Sequence, residues 1–334
     1  MRAIVCRKWG TPEDLKIEDV QLPALKPDQL RIEVKAAGVS FASSLVIAGK
    51  YQRKPPFPFT PGTEITGVVL EIGSAVTRFK AGDRVLACVD WGGMAEQTLA
   101  REVNTYALPS KIDFATGIGL ATSYPTSAAA LLWPHLLHVQ AGQTLLVHGA
   151  AGGVGMGACE IGKALGATVI ATAGGPEKVA FALEHGADHG IDYRKDDFRA
   201  AVLDITKGRG VDAVFDPVGG DVFDLSLRCM APEARIAPIG FASGRIPQIP
   251  ANILLVKNLI VTGFNWGYYI GWSPDDVRER EFPKVKAVMD RLHDWTESGA
   301  IRLSPTQTFK LDEWLKAYAA VLGRSAKGRV ALTP

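Results

Sequence analysis

Residues 144–173 read TLLVHGAAGGVGMGACEIGKALGATVIATA. The apolar run 144–148 has the length of a buried strand. Gly149, Gly152, Gly153 and Gly155 then crowd into seven positions. After them Met156, Ala158, Cys159, Ile161, Ala164 and Leu165 recur at helical spacing. Gly166 ends that helix, and 168–171 reads as the next parallel strand. Strand, glycine turn, helix and strand make a βαβ unit that opens with a glycine fingerprint. So tight a turn needs positive φ, which a residue without a Cβ adopts readily. The bare backbone at Ala151, Gly152, Gly153 and Val154 can then approach a pyrophosphate. The helix N-terminus adds free N–H groups and a partial positive charge.

The spacing is Ala150-Ala151-Gly152-Gly153-Val154-Gly155 rather than the strict G-x-G-x-x-G. Together with PGTE at 61–64, GDRV at 82–85 and GGMAEQ at 92–97, it resembles a known family. This is the zinc-independent branch of the medium-chain dehydrogenase/reductase superfamily, the quinone oxidoreductase (zeta-crystallin-like) family. The resemblance covers nearly the whole chain. It implies an α/β protein: a GroES-like β-barrel-type catalytic domain beside a doubly wound Rossmann domain with a parallel sheet.

The residue patterns agree in kind. Segments 2–6 and 30–36 alternate apolar and polar positions, and Pro12, Pro23 and Pro27 punctuate turns between them. A short helix or irregular turn is expected at 39–47. The proline-dense stretch 54–64 leads into a strand at 65–70. Many short strands with such punctuation suggest a barrel-like β domain. Past residue 120 the composition turns alanine- and leucine-rich, with a helix expected at 121–132, and a βαβα alternation begins. Its remaining strands are expected at 189–193, 211–216, 234–239 and 259–263. Phe282, Val285, Val288, Met289 and Leu292 stripe an amphipathic helix at 274–297. The expected division is 1–122 for the catalytic domain, completed by 265–334, and 123–264 for the Rossmann domain. The return of the tail is implied by the resemblance alone.

The 334 residues suit two domains, and 47% hydrophobic residues can fill two cores. A net charge of +2 gives no footprint for nucleic acid. The four cysteines, Cys6, Cys88, Cys159 and Cys229, are widely spaced within apolar segments and are expected to be buried thiols. The N-terminus lacks the shape of a signal peptide. No apolar run approaches the ~20 residues of a membrane span. A cytoplasmic location follows as an expectation.

Binders of NAD place an acid at the end of the second strand, ~20 residues past the glycine turn. Here that region reads Ala171-Thr172-Ala173-Gly174-Gly175-Pro176. Glu177 comes too late and suits a first helical turn. Small residues leave room for a 2′-phosphate, so NADPH is expected. The resemblance places Lys178, Tyr193 and Arg324 around that phosphate, with Gly174 at its backbone; Lys178 and Arg324 also fit solvated surface positions. It further places Thr126 and the turns containing Val218, Phe241, Ser243 and Phe264 along the nicotinamide side.

Zinc-bearing relatives have a cysteine near Ser40, a histidine at Thr63, and a four-cysteine lobe within 90–120. This sequence has none of these. Glu64 alone makes no site, and His135, His138, His148, His185, His189 and His293 lack ligand spacing. No metal is expected. Without a Lewis acid, the favoured chemistry is hydride delivery to an acceptor already electron-poor, a quinone or related enone. Two alternatives stay open: a 2-alkenal or enoyl-thioester reductase, and a non-enzymatic NADPH-binding redox sensor or structural protein.

Candidate hydrogen-bond donors to the acceptor are Tyr51, Ser40 and Ser43. Tyr51 matches the family tyrosine near the substrate mouth, though it equally suits a packed aromatic. Ser40-Phe41-Ala42-Ser43 departs from the usual N-F-x-D, and serine is no acid or base near neutral pH. A homodimer paired along 259–262 is implied by the resemblance.

Overall fold

The computed structural model describes Met1–Pro334 except Arg324. Two compact units divide the chain. One comprises Ser123–Trp266 and Ser298–Arg302. The other comprises Met1–Thr122, Gly267–Glu297 and Leu303–Pro334.

The first of these units is a six-stranded sheet in which every pairing is parallel. Its strands are β1 (Thr144–Val147), β2 (Thr168–Ala173), β3 (His189–Asp192), β4 (Val211–Asp216), β5 (Met230–Pro238) and β6 (Ile260–Val261). Their spatial order is 3-2-1-4-5-6. The order therefore reverses between β1 and β4, and open sheets of this kind bind ligands outside the strand carboxyl ends at that point. Helices α1 (Ser123–Leu132), α2 (Gly153–Ala164), α3 (Pro176–Glu184), α4 (Phe198–Ile205), α5 (Asp221–Ser226) and α6 (Ala251–Lys257) connect or flank the strands. Leu146, Ile170, Val214, Phe223 and Ile236 are fully buried in one core. Burial at both faces is why these strands read as apolar runs rather than alternations.

The glycine turn follows β1. Gly149 has a φ of 58°, and the Gly152 N–H bonds back to its carbonyl at 2.9 Å. A Cβ on Gly155 would run into the Gly149 carbonyl oxygen. Only glycine lets α2 start this close beneath the turn. Gly162 has a similar role further along α2, since a Cβ there would meet Leu145 Cδ2 at 2.7 Å.

Two strands differ from their expected extent. β5 begins at Met230, well before residue 234, and Glu233 within it adopts a φ of 64°. The register against β4 shifts between Val211 and Ala213. Pro232 and Glu233 at that irregularity mask the strand's first half. β6 shrinks to two residues. Asn258 takes a left-handed φ of 54° to end α6, and the Leu259 N–H bonds to the Leu254 carbonyl at 3.0 Å.

The other unit holds a seven-stranded sheet. Its centre is the long strand Gln29–Val39, paired antiparallel with Glu64–Ile72, Gln97–Arg101 and Arg329–Thr333. The chain's last strand thus closes the sheet begun near its start. Arg84–Cys88 and Thr105–Ala107 extend it on one side, and Thr306–Lys310 on the other. Ile32, Val34, Ile65, Val85 and Leu332 fill its core. Residues 41–47 form a regular helix, Phe41–Ile47. The later helix expected from residue 274 starts at Arg278, where Asp276 accepts the Arg278 N–H at 3.2 Å. All four cysteines are buried and free. Among the described residues no helix is long and apolar enough to cross a membrane.

Candidate active site

At the carboxyl ends of β1, β4 and β5, three loops stack on one another through backbone. A Cβ on Gly149 would stand 3.4 Å from Pro217 and 3.7 Å from Val218. The loop 217–220 then lies under 240–244. The Ala242 N–H bonds to the Pro217 carbonyl at 3.1 Å and the Ser243 N–H to that of Val218 at 2.9 Å. Gly219 and Gly220, both at positive φ, leave room for Phe241 and the Ser243 hydroxyl, each 2.9 Å from where a Cβ would sit. Val218 is therefore brought to the glycine turn at Gly149, and Phe241 and Ser243 to the loop 217–220.

Asp216, at the end of β4, folds this loop. Its Oδ1 accepts the Val218 and Gly219 N–H groups at 2.8 and 3.0 Å. Its Oδ2 is buried with no hydrogen-bond partner. Burial pushes the carboxyl up to about 6, against the pull of those two N–H bonds.

α1 packs beside the glycine helix, and the Ser127 hydroxyl donates to the Val154 carbonyl at 2.7 Å. Thr126 lies one residue earlier in α1. Phe264 follows β6 and meets Trp133 edge-on at 5.9 Å between ring centroids.

A second cluster forms at the end of β2. The Gly174 backbone lies against Tyr193 and Arg194: a Cβ would come within 2.6 Å of the Tyr193 hydroxyl and 3.1 Å of Arg194 Nε. Asp192 fixes this corner by accepting the Gly175 and Arg194 N–H groups at 2.8 and 3.1 Å. These bonds hold the Asp192 carboxyl below its ordinary range. Lys178 sits in the first turn of α3. Arg194 is a residue that sequence reasoning misses. Among the described residues its guanidinium makes no hydrogen bond or ion pair. A signal exists, since it is a cation next to Tyr193, just past the strand that pairs with β2. Arg324 lies outside the described residues.

Each corner has the shape and chemistry for one portion of a dinucleotide. The glycine turn, with no side-chain cap on α2, offers backbone N–H groups to a diphosphate. The β2 corner offers a cation and a phenol where a carboxylate would repel phosphate.

In the other unit, one cleft is lined by Ser43, Tyr51, Arg53, Asp90, Trp91 and Trp272. Two loops zip together to form its floor. The N–H groups of Gly92, Gly93 and Met94 bond to the carbonyls of Thr60, Gly62 and Pro61 at 2.7, 3.0 and 2.9 Å. The PGTE and GGMAEQ landmarks are thus two sides of one structure. Tyr51 is half-buried, and among the described residues its hydroxyl has no hydrogen-bond partner. Desolvation raises its pKa, so the phenol stays protonated and able to donate at neutral pH.

Ser40 and Ser43 are engaged with each other. Each side-chain oxygen accepts the other's backbone N–H at 3.1 Å, and the Ser43 hydroxyl donates to the Ser40 carbonyl at 2.6 Å. They form the capping box of Phe41–Ile47, an arrangement that stabilises a helix by ~1 kcal/mol. Ser43 also accepts from the buried Tyr318 hydroxyl at 3.2 Å.

Glu64 is enclosed, with one carboxylate oxygen taken by Arg329 and the other by the Thr122 hydroxyl. Among the described residues no group of three or more His, Cys, Asp or Glu side chains is placed to hold a metal ion. The donor set at Ser40, Thr63 and Glu64 does not fit a catalytic zinc, which takes three nitrogen, sulfur or carboxylate ligands.

Comparison with known proteins bears on the assembled site. The model named "Alcohol dehydrogenase GroES-like domain" matches residues 26–135, and that named "Zinc-binding dehydrogenase" matches 153–285. A quinone oxidoreductase-like protein 2 homolog from Nematostella vectensis is 39% identical over 99% of this chain and 88% of its own length. The chain belongs to the quinone oxidoreductase family of medium-chain dehydrogenases/reductases. Among solved structures, the quinone oxidoreductase of Pseudomonas syringae superposes with a TM-score of 0.89 at 32% identity, covering 100% of this chain and 99% of that one. The Escherichia coli quinone oxidoreductase complexed with NADPH gives a TM-score of 0.88 at 30% identity, with 100% of both chains covered. Family membership makes this chain an oxidoreductase, and the matched fold is the GroES-like and Rossmann pair.

Proposed function

We propose that this protein is an NADPH-dependent, zinc-independent reductase that transfers hydride to quinones or related electron-poor enones. The cleft carries the reading on the acceptor: planar aromatic walls suit a flat ring, and the Tyr51 phenol is a donor without a protein partner. Likeness to the NADPH-complexed Escherichia coli enzyme supports the cofactor.

The turn Ala151–Val154 holds the diphosphate with backbone N–H groups. Gly174, Lys178, Tyr193 and Arg194, joined by Arg324, receive the 2′-phosphate. Thr126, Val218, Phe241, Ser243 and Phe264 line the nicotinamide side. NADPH, when bound, supplies the hydride. Tyr51 donates a hydrogen bond to the acceptor oxygen on which negative charge develops, the role of an oxyanion-hole donor. Ser40 and Ser43 fix the helix below that oxygen by capping it.

Two copies associate through α6 and β6. Leu255 and Val256 are 78% and 76% exposed, and β6 pairs only with β5 among the described strands. Covering such an apolar edge favours a second copy.

Incubation of the purified chain with NADPH and a panel of quinones, enals and acyl thioesters tests the reading. Quinone-dependent NADPH oxidation, with NADH much poorer, is the expected result. Turnover confined to enals or thioesters, or tight NADPH binding without turnover, would reject it.

A further inference from the structure

The acceptor cleft contains a cation that the proposed hydride transfer does not use. Arg53 Nη1 stands 3.0 Å from Asp90 Oδ1. The same oxygen is approached at 2.7 Å by Arg278 Nη2. Arg278 is the more deeply buried of the two, its side chain 6% exposed against 24% for Arg53. It has a second acid, Asp276, at 3.2 Å, which Arg101 shares. Arg53 has none. Arg101 also pairs with Asp28 and Glu279, so Asp276 is left largely to Arg278, and Asp90 is shared between Arg278 and Arg53.

Arg53 also lacks hydrogen bonds. Its Nη1 is buried without a hydrogen-bond partner, and no other atom of its guanidinium is bonded among the described residues. The group lies over the Trp91 ring, 5.1 Å from its centroid, which holds the plane in place. Trp272 also lines this cleft, and its Nε1 is a second buried donor with no hydrogen-bond partner among the described residues. Its position is fixed. The Asn104 amide donates to the Ile270 carbonyl at 2.9 Å, Arg278 donates to that of Gly271 at 3.3 Å, and Gly271 itself takes a φ of 86°.

Buried donors are nearly always paired in a finished site. Two of them, one cationic, border a cleft that also presents the Tyr51 hydroxyl. We infer that the cleft selects acceptors bearing a carboxylate, which Arg53 and Trp272 bind while Tyr51 serves the carbonyl undergoing reduction. A single guanidinium that already shares one carboxylate matches a singly charged carboxylate better than a phosphate dianion. Planar guanidinium and planar carboxylate also match in geometry. The inference rests on the reading that this cleft receives the acceptor.

Benzoate carries the ring and the carboxylate but offers nothing to reduce, so it reports binding even if no quinone is turned over. Benzamide is its neutral counterpart. Calorimetric titration of the full chain is expected to show benzoate binding at least about tenfold more tightly than benzamide. R53Q abolishes that preference, R53K retains some of it, and W272F weakens benzoate binding. In steady-state assays with NADPH, 2-carboxy-1,4-benzoquinone is expected to show a lower KM than 1,4-benzoquinone, and R53Q removes the difference. Equal affinity for benzoate and benzamide in the wild type, no binding of benzoate, or a preference that survives R53Q and W272F would each overturn the inference. Reduction of neutral quinones with no benzoate preference would sink the inference alone. An Arg53-dependent benzoate preference without any quinone turnover would instead sink the proposed reductase activity.

Discussion

At the carboxyl ends of β1, β4 and β5, the loops meet through main-chain hydrogen bonds and the space left by missing Cβ atoms. In the cleft of the other unit, the groups that matter are side chains: a phenol, a guanidinium and an indole without hydrogen-bond partners among the described residues. Under the proposed function the first region takes a constant ligand and the second a choice of acceptors. A diphosphate is the same in every turnover, so backbone N–H groups and a helix terminus suffice. The second must discriminate among acceptors, and backbone offers only one donor and one acceptor per residue, whatever the sequence. Where side chains do serve the cofactor half, as Asp216 and Asp192 do, they fold the loops that present the backbone.

The largest expected effect tests the backbone side of this contrast. G155A places a methyl group against the Gly149 carbonyl oxygen. Overpacking of this kind destabilises by about 1–3 kcal/mol or more, and here it moves the turn itself. Loss of measurable NADPH binding in fluorescence titrations, with a lowered melting temperature, is the expected outcome. Full affinity in G155A would mean that the turn does not hold the diphosphate.

Y51F tests the side-chain half. Removal of one donor to a developing oxyanion lowers kcat by about 100- to 1,000-fold, while NADPH affinity stays at the wild-type value. An unchanged kcat would return Tyr51 to the role of a packing residue. A smaller change is expected from R194Q, which removes one charge-assisted contact to the 2′-phosphate. NADPH should bind about tenfold more weakly, with NADH unaffected. Equal losses for the two nucleotides would place Arg194 away from that phosphate.

The smallest change in binding is expected from D216N, whose effect lies in stability. Asp216 is raised to about 6 in the folded chain from an ordinary value of 3.8. Its contribution is therefore complete below the lower value and is lost as pH rises through the higher one. The stability of the wild type minus that of D216N should fall between about pH 4 and 6, read from urea unfolding midpoints. A pH-independent difference would show that burial of this carboxyl does not shift its titration.

The contrast between the regions also explains what is legible along the chain. Gly149, Gly152, Gly153 and Gly155 are consecutive enough to announce their turn, and the missing acid after β2 lies within one short window. Arg194 escapes such a reading because its relation to Gly174 spans two strands. Ser40 and Ser43 read as donors facing an acceptor. Their spacing equally makes a capping box, and the structure shows their hydroxyls bonded within it. The shortening of β6 is hidden because Leu259, apolar like a strand residue, is drawn into the turn in which left-handed Asn258 ends α6.

By itself the sequence determined the βαβ order, the glycine cradle and the family, since local spacing sets strand, turn and helix, and those set a backbone surface. Only the tertiary structure decided that Tyr51, Arg53, Asp90, Trp91 and Trp272 share one cleft, and which of their polar atoms remain unpaired. Those residues lie up to 221 positions apart along the chain, from Tyr51 to Trp272. Whether a donor is paired depends on neighbours that no local pattern specifies, because hydrogen bonds and ion pairs are settled by distance in space rather than in sequence.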